Sequence, residues 1–239
     1  MTTPSEGYFV LQTWPESERM RCYLSAESQE SDKCYTMPGI KSNPVTVDSN
    51  AVTAGDLLNT NVAHSNPPAN MDGIKQLIGS GNFRAALDFT ATLLTSLGQG
   101  FGMTGVPSRN TAETLELWTC RFQLLQALEM HQWLIDELAA FEELDAPDLY
   151  FQFYPSVYGA ERKGSLVPFS LRLIHAECLR FTKMPWKSLK RIDVLEKNVA
   201  EVIECLKHTS LPSALAGVWQ SRLMLVQSLR ARILVALNV

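Results

Sequence analysis

The chain has 239 residues, of which 46% are hydrophobic and 19% charged. That is enough apolar material for a core, which excludes a wholly disordered chain. A formal charge of −4 and a pI near 5.6 exclude a general polyanion binder, which needs a surplus of Lys and Arg. Cys22, Cys34, Cys120, Cys178 and Cys205 are odd in number and include no CxxC spacing. They point to free thiols in a reducing, cytosolic setting rather than to a disulfide framework or a zinc site. Residues 1–20 lack the basic start and apolar stretch of a signal peptide. Apolar runs such as Ile233–Leu237 are far short of the roughly 18–20 residues needed to span a bilayer.

In chain order, residues 1–70 hold half of the twelve prolines, with dense Ser, Thr and Asn and no sustained periodicity. This composition predicts a disordered, low-complexity tail. From Asp72 the pattern turns helical. Ile74, Leu77 and Ile78 form an apolar stripe that Gly79-Ser80-Gly81 ends. Phe83, Ala86, Leu87, Thr90, Leu93 and Leu94 predict a second helix over Asn82–Leu97. After a Gly-rich loop, Thr111 reads as an N-cap for a helix carrying Leu115, Trp118, Phe122, Leu125 and Leu128. Its partner carries Trp133, Leu134, Leu138 and Phe141. An aromatic loop follows from Tyr150 to Tyr158. Further helices are predicted from Pro168 to about Thr182 and from Pro185 to about His208, each with Pro near its start, where a missing N–H costs nothing. A last helix opens at Leu211-Pro212-Ser213 and carries Trp219, Leu223, Val226, Leu229, Ile233 and Leu237. No segment reads as a strand. The predicted class is all-α: a tetratricopeptide-like helical-hairpin solenoid over 71–239, with Gly81-Asn82-Phe83 and Ala86 matching the repeat's turn.

Enzyme chemistry finds little support. Gly100-Phe101-Gly102-Met103-Thr104-Gly105 spells GxGxxG, but dinucleotide binding needs that motif between a strand and a helix, and here a helix precedes it. His64, His131, His175 and His208 show no metal spacing, and His175 reads as a structural histidine beside Leu171, Ile174 and Cys178. No catalytic signature, cofactor motif or metal site is found. Tyr8-Phe9-Val10-Leu11 has the form of an aromatic-x-x-aliphatic linear motif. Residues 71–148 carry eleven acidic and four basic side chains, and 149–239 carry six and thirteen. Such an asymmetry suits complementarity to other subunits. Tyr150, Phe151, Phe153, Tyr154 and Tyr158 are candidate partner contacts, because large rigid rings are favoured in interface cores, and covering the core is the competing role.

Several stretches together resemble one family. They are Gly81–Ala86, Leu93–Gly100, Leu117-Trp118, Leu144–Tyr150, Tyr154–Tyr158, Gly164–Ser170, His175-Ala176-Glu177 and Trp219–Leu223. In this order, over about 72–230, they resemble the subunit 12 family of the trafficking protein particle (TRAPP) complex. The resemblance implies a non-catalytic tetratricopeptide scaffold that binds other TRAPP subunits. It implies a role in a TRAPP III-type vesicle tether and Rab activator, in ER-to-Golgi transport, Golgi organisation and autophagy, with a second link to mitosis. It also implies a cytoplasmic protein, peripheral at the ER–Golgi intermediate compartment and Golgi, touching membranes only through the assembly and using no nucleic acid or small-molecule substrate. The alternative is a stand-alone tetratricopeptide adaptor for a short peptide. Against the family's length the chain is expected to stop mid-repeat, leaving Trp219, Val226, Leu229 and Ile233 in need of a cover. About 6–12 kcal/mol of burial depends on finding one. That end is expected to dock on an earlier hairpin, self-associate or reflect a truncated chain, and Trp219, Val226 and Leu229 join the candidate contacts.

Overall fold

The computed structural model describes residues 10–25, 35–42, 67–207 and 213–237. Among them the fold is all-α, as the periodicity predicts. β-Type pairing among the described residues is limited to three isolated bridges, Thr36 with Pro107, Ile40 with Phe101 and Tyr150 with Ser165. Two compact units make up the chain. A middle unit takes Thr36–Ser108 and Glu116–Ala140, and a terminal unit takes the described residues of Met1–Tyr35, Arg109–Leu115 and Phe141–Val239.

In the middle unit, helix α2 spans Met71–Gly79 and α3 spans Phe83–Ser96. Helix α1, Glu18–Ser25, belongs to the terminal unit. The Asn70 side chain caps α2 by accepting from the Asp72 and Gly73 amides. Gly81 sits at φ +79°, the left-handed turn that lets α3 fold back on α2. The stripe Ala86, Leu87, Thr90, Leu93 and Leu94 is buried, while Phe83 stands exposed. Helix α4 runs from Ala112 to Ala127, belonging to this unit from Glu116 onward, and α5 runs from His131 to Leu138, followed by a 3₁₀ turn over Ala139–Phe141 whose last residue belongs to the terminal unit. Arg121 is fully buried and donates to both Glu137 carboxylate oxygens at 2.7 Å, and to the Leu87 carbonyl at 3.3 Å. Trp118 is also buried, and its indole N–H donates to Gln99 Oε1 at 2.9 Å.

The GxGxxG segment belongs to this unit as packing. The Ile40 amide donates to the Gly100 carbonyl at 3.1 Å, and the Met37 amide to the Val106 carbonyl at 2.8 Å. A Cβ at Gly100 would lie 2.0 Å from Thr95 Oγ1 and 2.5 Å from the Thr95 nitrogen. Glycine there therefore permits close backbone approach. Gly102 and Gly105 have positive φ, at +73° and +87°.

The terminal unit contains α1, a single-turn α6 within the aromatic loop (Pro155–Tyr158), and then α7 (Phe169–Glu177), α8 (Trp186–Lys207) and α9 (Ser213–Ala236). A 3₁₀ turn over Cys178–Phe181 continues α7, so the predicted Pro168–Thr182 helix changes pitch near its end. Helix α9 packs against α8. Arg230 pairs with Glu196 at 2.7 Å and with Asp193, and Gln227 donates to Glu196 at 3.0 Å. Docking on a preceding helix is thus the expected outcome that the structure realises for the last helix.

Residues 1–70 are not uniform. Val10–Ser25 and 35–42 are placed against the two units, with Trp14, Met20, Met37 and Ile40 buried. The expected tail is interrupted there because these apolar side chains find cover that composition does not reveal. Tyr8, Phe9, Cys34, His64 and His208 lie outside the described residues.

Candidate protein-binding surfaces

The aromatic loop is built by three short turns, Pro147–Leu149, Phe151–Phe153 and α6. Tyr150 and Phe151 are buried, whereas Phe153, Tyr154 and Tyr158 are half-buried. The Phe151 ring meets Tyr158 edge-on at 4.9 Å and carries the Arg162 guanidinium 4.1 Å from its centroid. Phe153 packs on Tyr154, Tyr23 and Tyr35 at 4.9, 5.3 and 5.5 Å. Tyr154 Oη accepts from the Asn110 amide at 3.0 Å, and the Asn110 side chain donates to buried Asp148 at 3.0 Å. Burial pushes the Tyr158 hydroxyl above the usual tyrosine range. The rings pack within the terminal unit, and Val157 is a large apolar side chain of the loop left open to solvent, at 67%.

Helix α9 divides in the same way. Trp219, Val226, Leu229 and Ile233 are buried. Trp219 stacks edge-on with Phe169 at 6.4 Å, and the Arg222 guanidinium lies 4.3 Å above the Trp219 ring. The sequence-level candidates Trp219, Val226 and Leu229 therefore face inward. Outside that stripe Val218, Met224, Leu225 and Val235 are exposed, with Met224 and Val235 on the side opposite it. That face escapes periodicity arguments because apolar residues run all round the helix, so no stripe marks which side is covered.

A third surface was not foreseen from the sequence. Residues 10–19 lie along the rest of the terminal unit, which grips them by four backbone carbonyls and by side chains. The Trp219 indole N–H donates to the Val10 carbonyl at 3.3 Å, Arg222 to that of Leu11 at 2.8 Å, and the Ser165 amide to that of Gln12 at 3.1 Å. Tyr150 Oη donates to the Pro15 carbonyl at 3.2 Å. Side chains add to this. Trp14 lies under the buried Arg172 guanidinium at 3.8 Å, Arg162 donates to Gln12 at 3.1 Å, and Arg19 pairs with Asp145 at 2.9 Å and with Glu142. The signal that could have revealed the segment is Trp14-Pro15 with Met20, apolar residues standing alone in polar sequence.

Beside Trp14 opens a cleft of about 680 Å³, lined by Arg172, His175, Arg191 and Lys197 among others. Burial and the nearby Arg191 charge push the His175 imidazole down to about 4. It is neutral near pH 7, with Nε2–H donating to the Glu142 carbonyl at 2.7 Å. Burial raises the Glu143 carboxyl, and the two hydrogen bonds from Arg191 at 2.6 and 3.0 Å outweigh it, leaving the group below its usual range. Cys178 is buried beside Arg191, and burial pushes its thiol up to about 11, so it is no nucleophile at neutral pH. His175, Glu143 and Arg172 are each held by a neighbour of the same unit. Among the described residues there is no cluster of His, Cys, Asp or Glu able to hold a metal, and no helix long and apolar enough to cross a membrane.

Among the described residues these features define an all-α protein of packed helical hairpins. No family model and no solved structure matches the chain significantly. Two curated proteins do match it, both called trafficking protein particle complex subunit 12. The Mus musculus protein is 36% identical over 211 residues, covering 83% of this chain and 26% of the mouse protein. The Homo sapiens protein is 36% identical over 179 residues, covering 72% and 24%. The chain is a subunit 12-like protein of the trafficking protein particle family. It spans about a quarter of the length of the curated relatives it matches.

Proposed function

We propose that the chain is a non-catalytic scaffold segment of a TRAPP assembly. The observation that carries this reading is its identity to two proteins named as subunits of that complex. The finer reading is a TRAPP III-like vesicle tether in ER-to-Golgi transport, Golgi organisation and autophagy. The chain would sit at ER–Golgi intermediate and Golgi membranes through other subunits rather than by its own contact with lipid. The exposed Val218, Met224, Leu225 and Val235 on α9 support a protein-binding role, since apolar side chains left open along one helix suit the core of an interface.

The test is affinity capture of the full 239-residue chain from a lysate of its own source, with mass spectrometry of what is retained. Co-purification of several TRAPP subunits, together with Golgi-region localisation, is the expected result. Retention of unrelated partners without any TRAPP subunit would overturn the proposal.

A further inference from the structure

The strongest unexplained feature is the way the terminal unit holds Val10–Arg19. A segment that merely completes a core contributes apolar side chains. This one is read by donors to four main-chain carbonyls, those of Val10, Leu11, Gln12 and Pro15. Donors aimed at backbone carbonyls, with a pocket for one aromatic anchor, are how short peptide segments are recognised, here with Val10–Thr13 in a turn closed by the Thr13 amide on the Val10 carbonyl. The anchor here is Trp14, 9% exposed, against Arg172. Arg172 donates to Ser165 Oγ at 2.7 Å, and its buried charge is offset by the Trp14 ring face. Gly164 completes the groove. At φ +116°, a Cβ there would stand 2.6 Å from the Gln12 carbonyl oxygen, so only glycine lets the segment approach. Glu16 accepts from Gln152 at 3.1 Å.

From this geometry we infer that the groove is a peptide-binding site occupied in cis, and that it takes a Leu-Gln-x-Trp-Pro-acidic segment of a partner protein, held as a turn that runs out into open chain, when residues 10–19 leave. The partner is defined by the interactions that hold the chain's own segment. It offers an aromatic ring for Arg172, free carbonyls for Arg222 and Ser165, and a carboxylate after the proline for Gln152. This inference does not rest on the assembly reading, and its test uses no other subunit.

The test uses the full chain and a fluorescent peptide of its own residues Val10–Ser25. In the wild-type chain the resident segment competes. In the Trp14→Ala chain the competitor is weakened, so that chain binds the peptide at least tenfold more tightly than wild type. A peptide carrying the same Trp14→Ala change shows no binding to either. Should Trp14→Ala unfold the chain, Arg19→Ala releases only the outer contacts to Glu142 and Asp145, and it too tightens peptide binding. Equal binding by native and Trp14→Ala peptides overturns the proposal. So does hydrogen exchange in the intact chain showing that residues 10–19 open only when the whole terminal unit unfolds, for then the segment is core and not ligand. Concentration-dependent dimers that the free peptide dissolves would assign the groove to a second copy and overturn the assignment to a partner.

Discussion

His175 and Arg121 show how single buried groups tie this molecule's stability to charge. A histidine whose folded value lies near 4, against 6.5 unfolded, binds its proton more readily in the unfolded chain. Its contribution is therefore full above about pH 6.5 and is lost as pH falls toward 4, a change on the order of 3 kcal/mol. Replacing His175 with Gln, which can still donate to the Glu142 carbonyl, should flatten the stability curve of the terminal unit between pH 6.5 and 4. Urea midpoints taken across that range measure it, and an unchanged slope would count against a buried neutral imidazole. Glu143 acts in the same direction at lower pH, since its depressed carboxyl loses the Arg191 pair on protonation. In the middle unit, Arg121→Ala leaves Glu137 without its two donors. A loss of about 3–5 kcal/mol is expected, whereas the double change of Arg121 and Glu137 to Met should cost much less. Thermal melts of both variants decide between a buried pair and a merely crowded site. His175 was legible as a structural histidine from its place among Leu171, Ile174 and Cys178. Arg121 was not, because nothing in its flanking residues reveals that Glu137 will meet it.

At the scale of elements, the helices of 71–239 were legible to within a few residues because several signals agree. The apolar period of α3, Thr111 accepting from the Thr114 amide at 3.1 Å, and the prolines before α7 and α8 each place an end or a face. The segments 10–25 and 35–42 were not legible, since outside α1 they lie extended or in isolated turns and bonds and leave no apolar period to read. The glycine loop shows a motif losing its usual meaning. Gly100→Ala should destabilise the middle unit by about 1–3 kcal/mol, because the new methyl meets the Thr95 backbone as well as its hydroxyl. Gly102→Ala meets open space and carries only the positive-φ cost of about 1–2 kcal/mol. Chemical denaturation of the two variants should thus rank Gly100→Ala as the more damaging, and the opposite order would mean that loop conformation, not close approach, is what the glycines serve.

At the scale of the whole molecule, folding and assembly make separable demands on α9. Period alone assigned Trp219, Val226 and Leu229 both to burial and to partner contact, because an apolar helix does not announce which face meets its own chain. With α8 behind it and Val10–Leu11 over the Trp219 end, the inner face is already satisfied. Trp219→Ala would leave a cavity beside Phe169 and remove the donor to the Val10 carbonyl, a loss of about 3–5 kcal/mol. Such a variant should lose partner binding only together with its circular-dichroism melt. Changing Met224 and Leu225 together to Glu places charge where side chains are 56% and 54% exposed, so the melt should move little. If α9 presents its outer face to other subunits, that double variant should fail to retain them in a capture experiment while remaining folded, because two carboxylates would have to be buried unpaired at the interface. Full retention of partners by the folded double variant would remove α9 from the binding surface and direct the search to Val157 and the rim of the aromatic loop.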